Sequence, residues 1–182
     1  NTDELRQLLQ KGKSYISENN LDLALKQFAE IVSRFPDNPE ARFELGKAHY
    51  LKGSWPLAIK ELLEAKRINP RNSNAQLLLA KLYKATGKYE LAFSAIEPLV
   101  ANRVSNPEIS SELRDIYPGY LKELKSYNNQ GEYAKVSQKA QRLHELIPED
   151  DIFYRNQALS ELEIAQKKLV VSAKMRNLIV TL

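Results

Sequence analysis

The sequence predicts an all-α fold in which antiparallel helix pairs stack side by side. Three observations predict it. The same residue pattern recurs about every 34 residues, so that Gly12, Gly46 and Ala80 are equivalent. Apolar residues within each recurrence fall at helical spacing, in two runs that a short polar or glycine-containing turn separates. Proline and asparagine punctuate the ends of the first two recurrences, at residues 36–39 and 70–72.

Each recurrence is predicted to form two helices joined by a tight turn. In the first, Asn19 and Asn20 interrupt the helical spacing of the apolar residues. In the second, Gly53 occupies the same turn, where a left-handed backbone conformation is commonly needed. Asn38 suits the cap of the next helix and Pro39 its first turn. The sequence therefore predicts three helix pairs, over residues 5–38, 39–72 and 73–106.

Small residues recur where the two helices of a pair approach closely. The small positions of the first and second helices are Gly12, Gly46, Ala80, Ala24, Ala58 and Ala92. Large side chains such as Phe28 and Leu62 fill the space between them, as a packed helical layer requires. One pair cannot bury its apolar face alone, so we expect a stack of at least about three pairs.

This pattern resembles the tetratricopeptide repeat family, and three consecutive units match it in register without an insertion. Two departures are visible. Leu8, Arg42 and Gln76 replace the tryptophan of the family's first helix, and the third unit has Val104 where the closing proline belongs. The resemblance implies a right-handed α-solenoid whose first helices line a concave groove. It also implies a non-enzymatic protein–protein interaction module that holds a peptide or a partner helix in that groove.

The region after Asn106 departs from the regular repeat and then returns to it. Over residues 107–148 we expect an inserted helix, kinked or broken at Pro118, and a diverged fourth unit. Over residues 149–182 we expect a capping helix and an apolar tail. That helix is predicted from about Asp151 to about Lys174, because acidic residues suit a helix start. The residues predicted to share its buried face are Ile152, Leu159, Leu162, Ala165 and Leu169.

The last residues, 177–182, are rich in β-branched side chains and lack an amphipathic period. They are interpreted either as the first strand of a following domain or as the apolar end of the capping helix. The sequence also begins at Asn1 rather than Met, so we expect a fragment or a processed form. An alternative function is therefore a regulatory or localising domain of a larger enzyme or membrane-assembly protein. A third hypothesis is a homodimer through the C-terminal helix that buries Leu169, Val170 and Leu178.

Composition excludes several classes of protein. The 182 residues are 43% hydrophobic and 27% charged, which is typical of a folded chain. The 27 basic and 23 acidic residues give a net charge of +4, an excess too small to indicate nucleic-acid binding. Cysteine is absent, which excludes disulfides and thiolate chemistry, and no run of about 18 apolar residues predicts a membrane span. The compartment stays open.

Residues that could carry catalytic chemistry are few. His49 falls where Tyr15 and Tyr83 stand in the neighbouring repeats, so we expect a core residue with a paired ring nitrogen. His144 is expected to be solvated near a helix end, and the acidic run at residues 149–151 fits helix capping. Neither a metal-ligand spacing nor a glycine-rich phosphate loop is present. We therefore expect no enzyme activity, no cofactor and no metal.

The candidate partner-binding groove is defined by a ladder of lysines. If the family geometry holds, the ninth residue of each unit points into the groove: Lys13, Lys47, Lys81 and Lys125. The neighbouring groove residues are predicted to be Arg6, Phe43, Tyr50, Leu77, Lys84, Leu121 and Lys122. Four helices at roughly 8–10 Å spacing would span on the order of 30 Å, enough for about nine residues of extended peptide. An acidic peptide is the predicted ligand, and an ordinary solvated face, diluted by Glu40 and Glu44, is the alternative.

The family's carboxylate clamp, which grips chaperone C-terminal tails, is not reproduced. The positions that match its basic and amide residues are Leu9, Lys13, Glu44, Asn74 and Leu78. One cation remains, and Glu44 would repel a carboxylate. Chaperone tails are therefore not the expected partners.

Overall fold

The computed structural model describes residues 2–104 and 106–180, and it is all-α over these residues. They contain nine helices and no strand. The helices are α1 (Thr2–Ser17), α2 (Leu21–Arg34), α3 (Pro39–Leu51), α4 (Trp55–Ile68), α5 (Ser73–Ala85), α6 (Tyr89–Ala101), α7 (Pro107–Asn129), α8 (Tyr133–Leu146) and α9 (Ile152–Val180). The predicted all-α fold of helix pairs is confirmed.

The chain divides into two compact units between Thr86 and Gly87. Unit 1 contains α1 to α5, and unit 2 contains α6 to α9. Successive helices within unit 1 pack against one another, and α8 packs on α9 in unit 2. The two helices of the third predicted repeat, α5 and α6, fall in different units. The repeat boundaries themselves stay a prediction.

Local signals start and end the helices as the sequence indicates. The Asn38 side chain accepts a hydrogen bond from the Ala41 N–H at 2.8 Å, and Pro39 is the first residue of α3. The Asn72 side chain caps α5 in the same way through the Ala75 N–H at 3.0 Å. In the turn before α4, Gly53 has φ +77°, and Asn19 adopts φ +59° in the turn before α2. Both residue types tolerate this left-handed conformation, which explains their placement.

Glycines on the first helices permit the close packing within each pair of unit 1. A Cβ atom added to Gly12 would lie 2.6 Å from the Phe28 ring, and one added to Gly46 would lie 2.8 Å from Leu62 Cγ. Phe28 and Leu62 are fully buried on α2 and α4. The backbone of each first helix therefore forms part of the wall against which the second helix packs.

We expect Gly12→Ala to destabilise unit 1 by about 1–3 kcal/mol, because the added methyl group overpacks the Phe28 ring. Alanine would otherwise stabilise a helix interior by roughly 1 kcal/mol relative to glycine, so the sign of the change is diagnostic. Urea unfolding measures it. The double variant Gly12→Ala/Phe28→Leu should recover part of the loss, and strictly additive effects of the two substitutions would contradict the packing described.

In the second and third repeats, polar side chains with defined partners fill the tryptophan position of the family. Arg42 Nε donates a hydrogen bond to the Pro36 carbonyl oxygen at 3.1 Å, and its Nη1 lies 2.7 Å from Glu61 Oε2. Gln76 Nε2 donates to the equivalent carbonyl of Pro70 at 2.6 Å. These contacts tie the closing proline of one repeat to the first helix of the next.

Of the two alternatives predicted at Pro118, the break is wrong, because α7 runs without interruption from Pro107 to Asn129, and the kink stays a prediction. Proline at position 118 removes one backbone donor from the helix. Buried side chains on both sides of it, Leu113 and Ile116 before and Leu121 and Leu124 after, hold the two halves in one packed layer. Packing therefore outweighs the local preference of proline.

The C-terminal helix is longer than predicted, since α9 extends through Val180. The strand interpretation is therefore wrong for residues 177–180, and Thr181 and Leu182 lie outside the described residues. Leu162 and Ala165 are buried as predicted, together with Ala158, and α9 packs on both α8 and α7. Ile152 and Leu159 are 64% and 36% exposed and do not belong to the buried face. Leu169 is half-buried.

Candidate partner-binding groove

The first helices of unit 1 bring two predicted groove residues together. A cavity of about 410 Å³ between α1 and α3 contains both Arg6 and Lys13. Its full lining is Leu5, Arg6, Leu9, Gln10, Lys13, Asn38 and Glu40. Leu5 and Leu9 give it an apolar side, and the other residues give it a polar rim.

The positive charge of Lys13 in this cavity is largely neutralised. Lys13 Nζ lies 2.6 Å from Glu40 Oε1 and 3.8 Å from Glu44 Oε1. The hydrogen bond that Lys13 donates to Glu40 is the main cause that raises the pKa of Lys13. Glu44 is buried, and burial raises the pKa of its carboxyl despite the nearby Lys47 and Lys13. This part of the predicted ladder therefore offers little net charge to a ligand.

The remaining predicted groove residues of unit 1 lie on α3 and α5. Phe43, Lys47, Tyr50, Lys81 and Lys84 are half-buried. Leu77 is 6% exposed and serves the core of its layer rather than an open surface. Among these residues, Phe43 and Tyr50 of α3 are thus the apolar side chains that the predicted groove can still offer to a ligand.

A second cavity, of about 390 Å³, lies between α7 and α9 in unit 2. It contains three predicted groove residues, Leu121, Lys122 and Lys125. The other lining residues are Pro118, Gln157, Ser160 and Glu161. Leu121 is nearly buried and forms the floor, whereas Lys122 and Lys125 are exposed. Within the described ranges, neither lysine forms an ion pair.

Asn128 fixes the wall of the second cavity. Its Nδ2 donates to the Glu161 carbonyl oxygen at 3.0 Å and to Glu161 Oε2 at 2.7 Å. The Glu161 carboxylate is thereby held against α7. Two unpaired lysines and one engaged carboxylate leave this cavity with a net positive charge.

The structure thus groups Arg6 with Lys13 and, separately, Lys122 with Lys125. A continuous stripe of four lysines stays a prediction. Sequence reasoning missed the contributions of Gln157, Ser160 and Glu161. The sequence did contain a sign that α9 faces this cavity. α9 begins one repeat length after the start of the fourth unit, so Ala158 takes the position that Gly46 and Ala80 have in their repeats.

The histidines have structural surroundings that differ from those expected. His49 is half-buried, and its Nδ1 is buried without a hydrogen-bond partner among the described residues. The expectation of one paired ring nitrogen is not met at Nδ1 and stays a prediction for Nε2. Burial is the main cause that lowers the pKa of His49. His144 is half-buried rather than solvated, and its Nδ1 lies 3.2 Å from the Arg155 carbonyl oxygen. No group of three or more metal-ligating side chains occurs in the part of the chain that the structure describes.

Together the fold and the cavities between first helices define a helical-repeat protein. Residues 9–73 match the family model described as tetratricopeptide repeat. Over residues 9–73 the chain is therefore similar to that family. Among curated proteins, none matches it by sequence. None of the helices described here combines the length and apolar content needed to cross a bilayer.

Solved structures with similar folds include three of different kinds. The Yersinia enterocolitica type III secretion translocator chaperone SycD is 19% identical, with a TM-score of 0.59 over 64% of this chain and 85% of SycD. The first TPR of Spaghetti (RPAP3), bound to the HSP90 peptide SRMEEVD, is 22% identical, with a TM-score of 0.60 over 64% and 92%. A MamA RS-1 ArsTM double mutant is 15% identical, with a TM-score of 0.61 over 93% and 97%. At these identities the likeness concerns the fold.

Proposed function

We propose that this chain is a non-enzymatic protein–protein interaction module that binds a peptide or a partner helix against its first helices. The observation that carries the proposal is the position of the two cavities. Each lies between consecutive first helices, α1 with α3 and α7 with α9, and together they hold five of the predicted groove residues. The similarly folded RPAP3 domain holds a peptide, and SycD is a translocator chaperone, which supports this class of function.

The two cavities differ in how many of their lysines are free to attract an acidic ligand. In the α7–α9 cavity, Lys122 and Lys125 are exposed and unpaired among the described residues, so an acidic side chain gains attraction without breaking an ion pair. In the α1–α3 cavity, Lys13 is already bound to Glu40. We therefore propose that the α7–α9 cavity binds acidic segments. The α1–α3 cavity, considered by itself, suits uncharged or apolar segments because of Leu5 and Leu9.

Chaperone C-terminal tails fit this surface poorly. Glu44 occupies a position where the clamp needs an amide, and its carboxylate is buried beside Lys13. Leu9 and Leu78, at two other clamp positions, are also buried. A terminal carboxylate placed here would meet a negative charge and apolar side chains, which supports a different peptide chemistry.

We expect Lys122→Glu/Lys125→Glu to weaken binding of acidic peptides by about tenfold or more, because two attractive charges become repulsive. An array of nine-residue peptides graded in acidic content would identify ligands, and fluorescence anisotropy would measure their affinities. The affinity of the unaltered protein should also fall as salt rises. Circular dichroism would check that the variant keeps its helicity.

The matched control is Lys26→Glu/Lys60→Glu, which makes the same charge change on the second helices α2 and α4. Both of these lysines are exposed. The control should retain the affinity of the unaltered protein within about twofold. Equal losses in the two variants, or capture of peptides regardless of their acidic content, would argue against a charged site at α7–α9.

A second candidate function is a regulatory or localising domain of a larger protein. The observation that favours it is the exposed apolar surface near the end of α9, where Val170, Val171 and Met175 are 54%, 50% and 64% exposed. Apolar side chains grouped on a surface commonly mark a contact with another domain or protein. The mass of the native polypeptide in its source cells would distinguish this candidate from a free-standing module.

The predicted homodimer through α9 gains less support. Val170 is exposed, but Leu169 is half-buried and the Leu178 side chain lies outside the described residues. Residues 165–176 contain four basic side chains and no acidic one. Two copies joined along this segment would bring like charges together, which opposes pairing.

A further inference from the structure

A row of exposed side chains continues the α7–α9 cavity along α9. Gln157 and Glu161 line the cavity from α9. Four later residues extend the same row, and we call them the α9 stripe: Ile164, Lys168, Val171 and Met175. From Gln157 onward, successive members of the row are alternately four and three residues apart, which keeps them on one face of the helix. The α9 stripe therefore shares its face with the cavity.

The neighbouring helix α7 ends where the α9 stripe begins. Asn128 of α7 contacts Glu161, and α7 ends one residue later at Asn129, whereas α9 continues to Val180. The three apolar members of the α9 stripe are between 42% and 64% exposed. The cavity thus opens onto an apolar surface that α7 leaves uncovered.

Positive charge surrounds the α9 stripe. The basic side chains of this part of α9 are all exposed: Lys167, Lys168, Lys174 and Arg176. Residues 164–176 contain no acidic side chain. Lys122 and Lys125 add two exposed cations at the cavity end of the row. A partner that covers the α9 stripe therefore needs acidic side chains beside its apolar ones.

The spacing of the apolar side chains fits a partner helix better than an extended peptide. Ile164 and Val171 are seven residues apart, which corresponds to about 10.5 Å along a helix axis. A second helix presents side chains on one face at the same interval, so that apolar residues pair along the whole contact. Side chains on one face of an extended chain recur every 6.8 Å or so, which does not match this interval.

We propose that the α7–α9 cavity and the α9 stripe together bind an acidic amphipathic helix of a partner protein. The inference rests on the proposed function and specifies the form of the ligand in unit 2. Acidic side chains at one end of the partner helix face Lys122 and Lys125, and its apolar side chains lie on the apolar members of the α9 stripe. The row from Gln157 to Met175 is about 27 Å long, so the partner helix needs about 18 residues.

The test compares two fluorescently labelled peptides of about 18 residues that have the same leucine and glutamate content. In the helix peptide the leucines are alternately three and four residues apart, and in the control peptide they occupy every second position. Fluorescence anisotropy should give an affinity about tenfold higher for the helix peptide. Circular dichroism should show that the helix peptide gains helicity when it binds.

A pair of matched variants locates the apolar contact. Ile164→Ala/Val171→Ala should remove the preference for the helix peptide without any change of charge. The control, Leu159→Ala/Val170→Ala, truncates side chains of similar size and exposure on another face of α9 and should keep the preference. Alanine favours helices, so α9 should stay helical in both variants.

Equal affinities for the two peptides would overturn this proposal. If both affinities still fell in Lys122→Glu/Lys125→Glu, the acidic site of the proposed function would stand without it. Equal losses of the preference in the two alanine variants would also overturn it. So would binding to phosphatidylglycerol vesicles that Ile164→Ala/Val171→Ala abolishes while the peptide preference persists, since the α9 stripe would then contact lipid. Failure of both peptides to bind would overturn this proposal and the acidic site together.

Discussion

Phe28→Ala is expected to lower the free energy of unfolding of unit 1 by about 3–5 kcal/mol. Phe28 is fully buried on α2, and its ring packs directly on the backbone at Gly12. Because Gly12 has no side chain that could move into the vacated space, removal of the ring leaves a cavity. Ile31 and Ala48 belong to the same core cluster and lose packing contacts with it.

Urea unfolding followed by tryptophan fluorescence measures this effect in unit 1. Trp55, the single tryptophan of the chain, begins α4 and therefore reports on that unit. The matched control is Leu23→Ala, a truncation on the same helix at a side chain that is 48% exposed. The control should change the free energy of unfolding by at most about 0.5 kcal/mol. Similar losses in the two variants would contradict the assignment of Phe28 to the core.

The parts of the fold that depend on local chemistry could be predicted from the sequence. Asn38 and Asn72 cap α3 and α5 because their side chains reach backbone donors three residues ahead. The small residues Gly12 and Gly46 lie where the second helices approach most closely. Such features repeat along the chain, so each repeat supplied a check on the next.

The features that depend on distant partners could not be predicted in the same way. The continuity of α7 through Pro118 results from packing on both sides of the proline, which outweighs its local preference. The extension of α9 replaced the strand interpretation for residues 177–180. The preference of β-branched residues for strands is weak when the tertiary structure offers no neighbouring strand to pair with.

For the candidate groove, the sequence indicated the helix face but not the state of its charges. Glu40 and Glu44 were expected to dilute the lysine ladder, and Lys13 indeed contacts both. That Lys122 and Lys125 lie unpaired in a cavity with α9, among the described residues, requires the packing of α7 on α9. Helical periodicity gives a residue's face, whereas its partner across the interface follows from tertiary structure.

Arg42→Ala is expected to destabilise unit 1 by about 3–5 kcal/mol, because it leaves the Glu61 carboxylate largely buried and unpaired. The side chains of Arg42 and Glu61 are only 19% and 11% exposed. The substitution also removes the hydrogen bond to the Pro36 carbonyl oxygen. Urea unfolding monitored by circular dichroism measures the loss.

The other repeats of the chain suggest a variant that separates the contribution of the Arg42–Glu61 ion pair from that of the hydrogen bond to the Pro36 carbonyl oxygen. The residues equivalent to Arg42 and Glu61 are Leu8 and Gln27 in the first repeat and Gln76 and Ala95 in the third. The two charges therefore occur together in one repeat and are both absent from the others, as expected if each is needed only to compensate the other.

Arg42→Gln/Glu61→Gln replaces both charges with amides found at equivalent positions, and the glutamine at position 42 can keep the carbonyl contact that Gln76 makes. The free energy of unfolding of this double variant should lie within about 1 kcal/mol of that of the unaltered protein. That of Arg42→Gln alone should be clearly lower. If the double variant is as unstable as Arg42→Gln, the ion pair contributes net stability beyond the compensation of two buried charges. In that case the second repeat depends on a specific interaction that its neighbours lack.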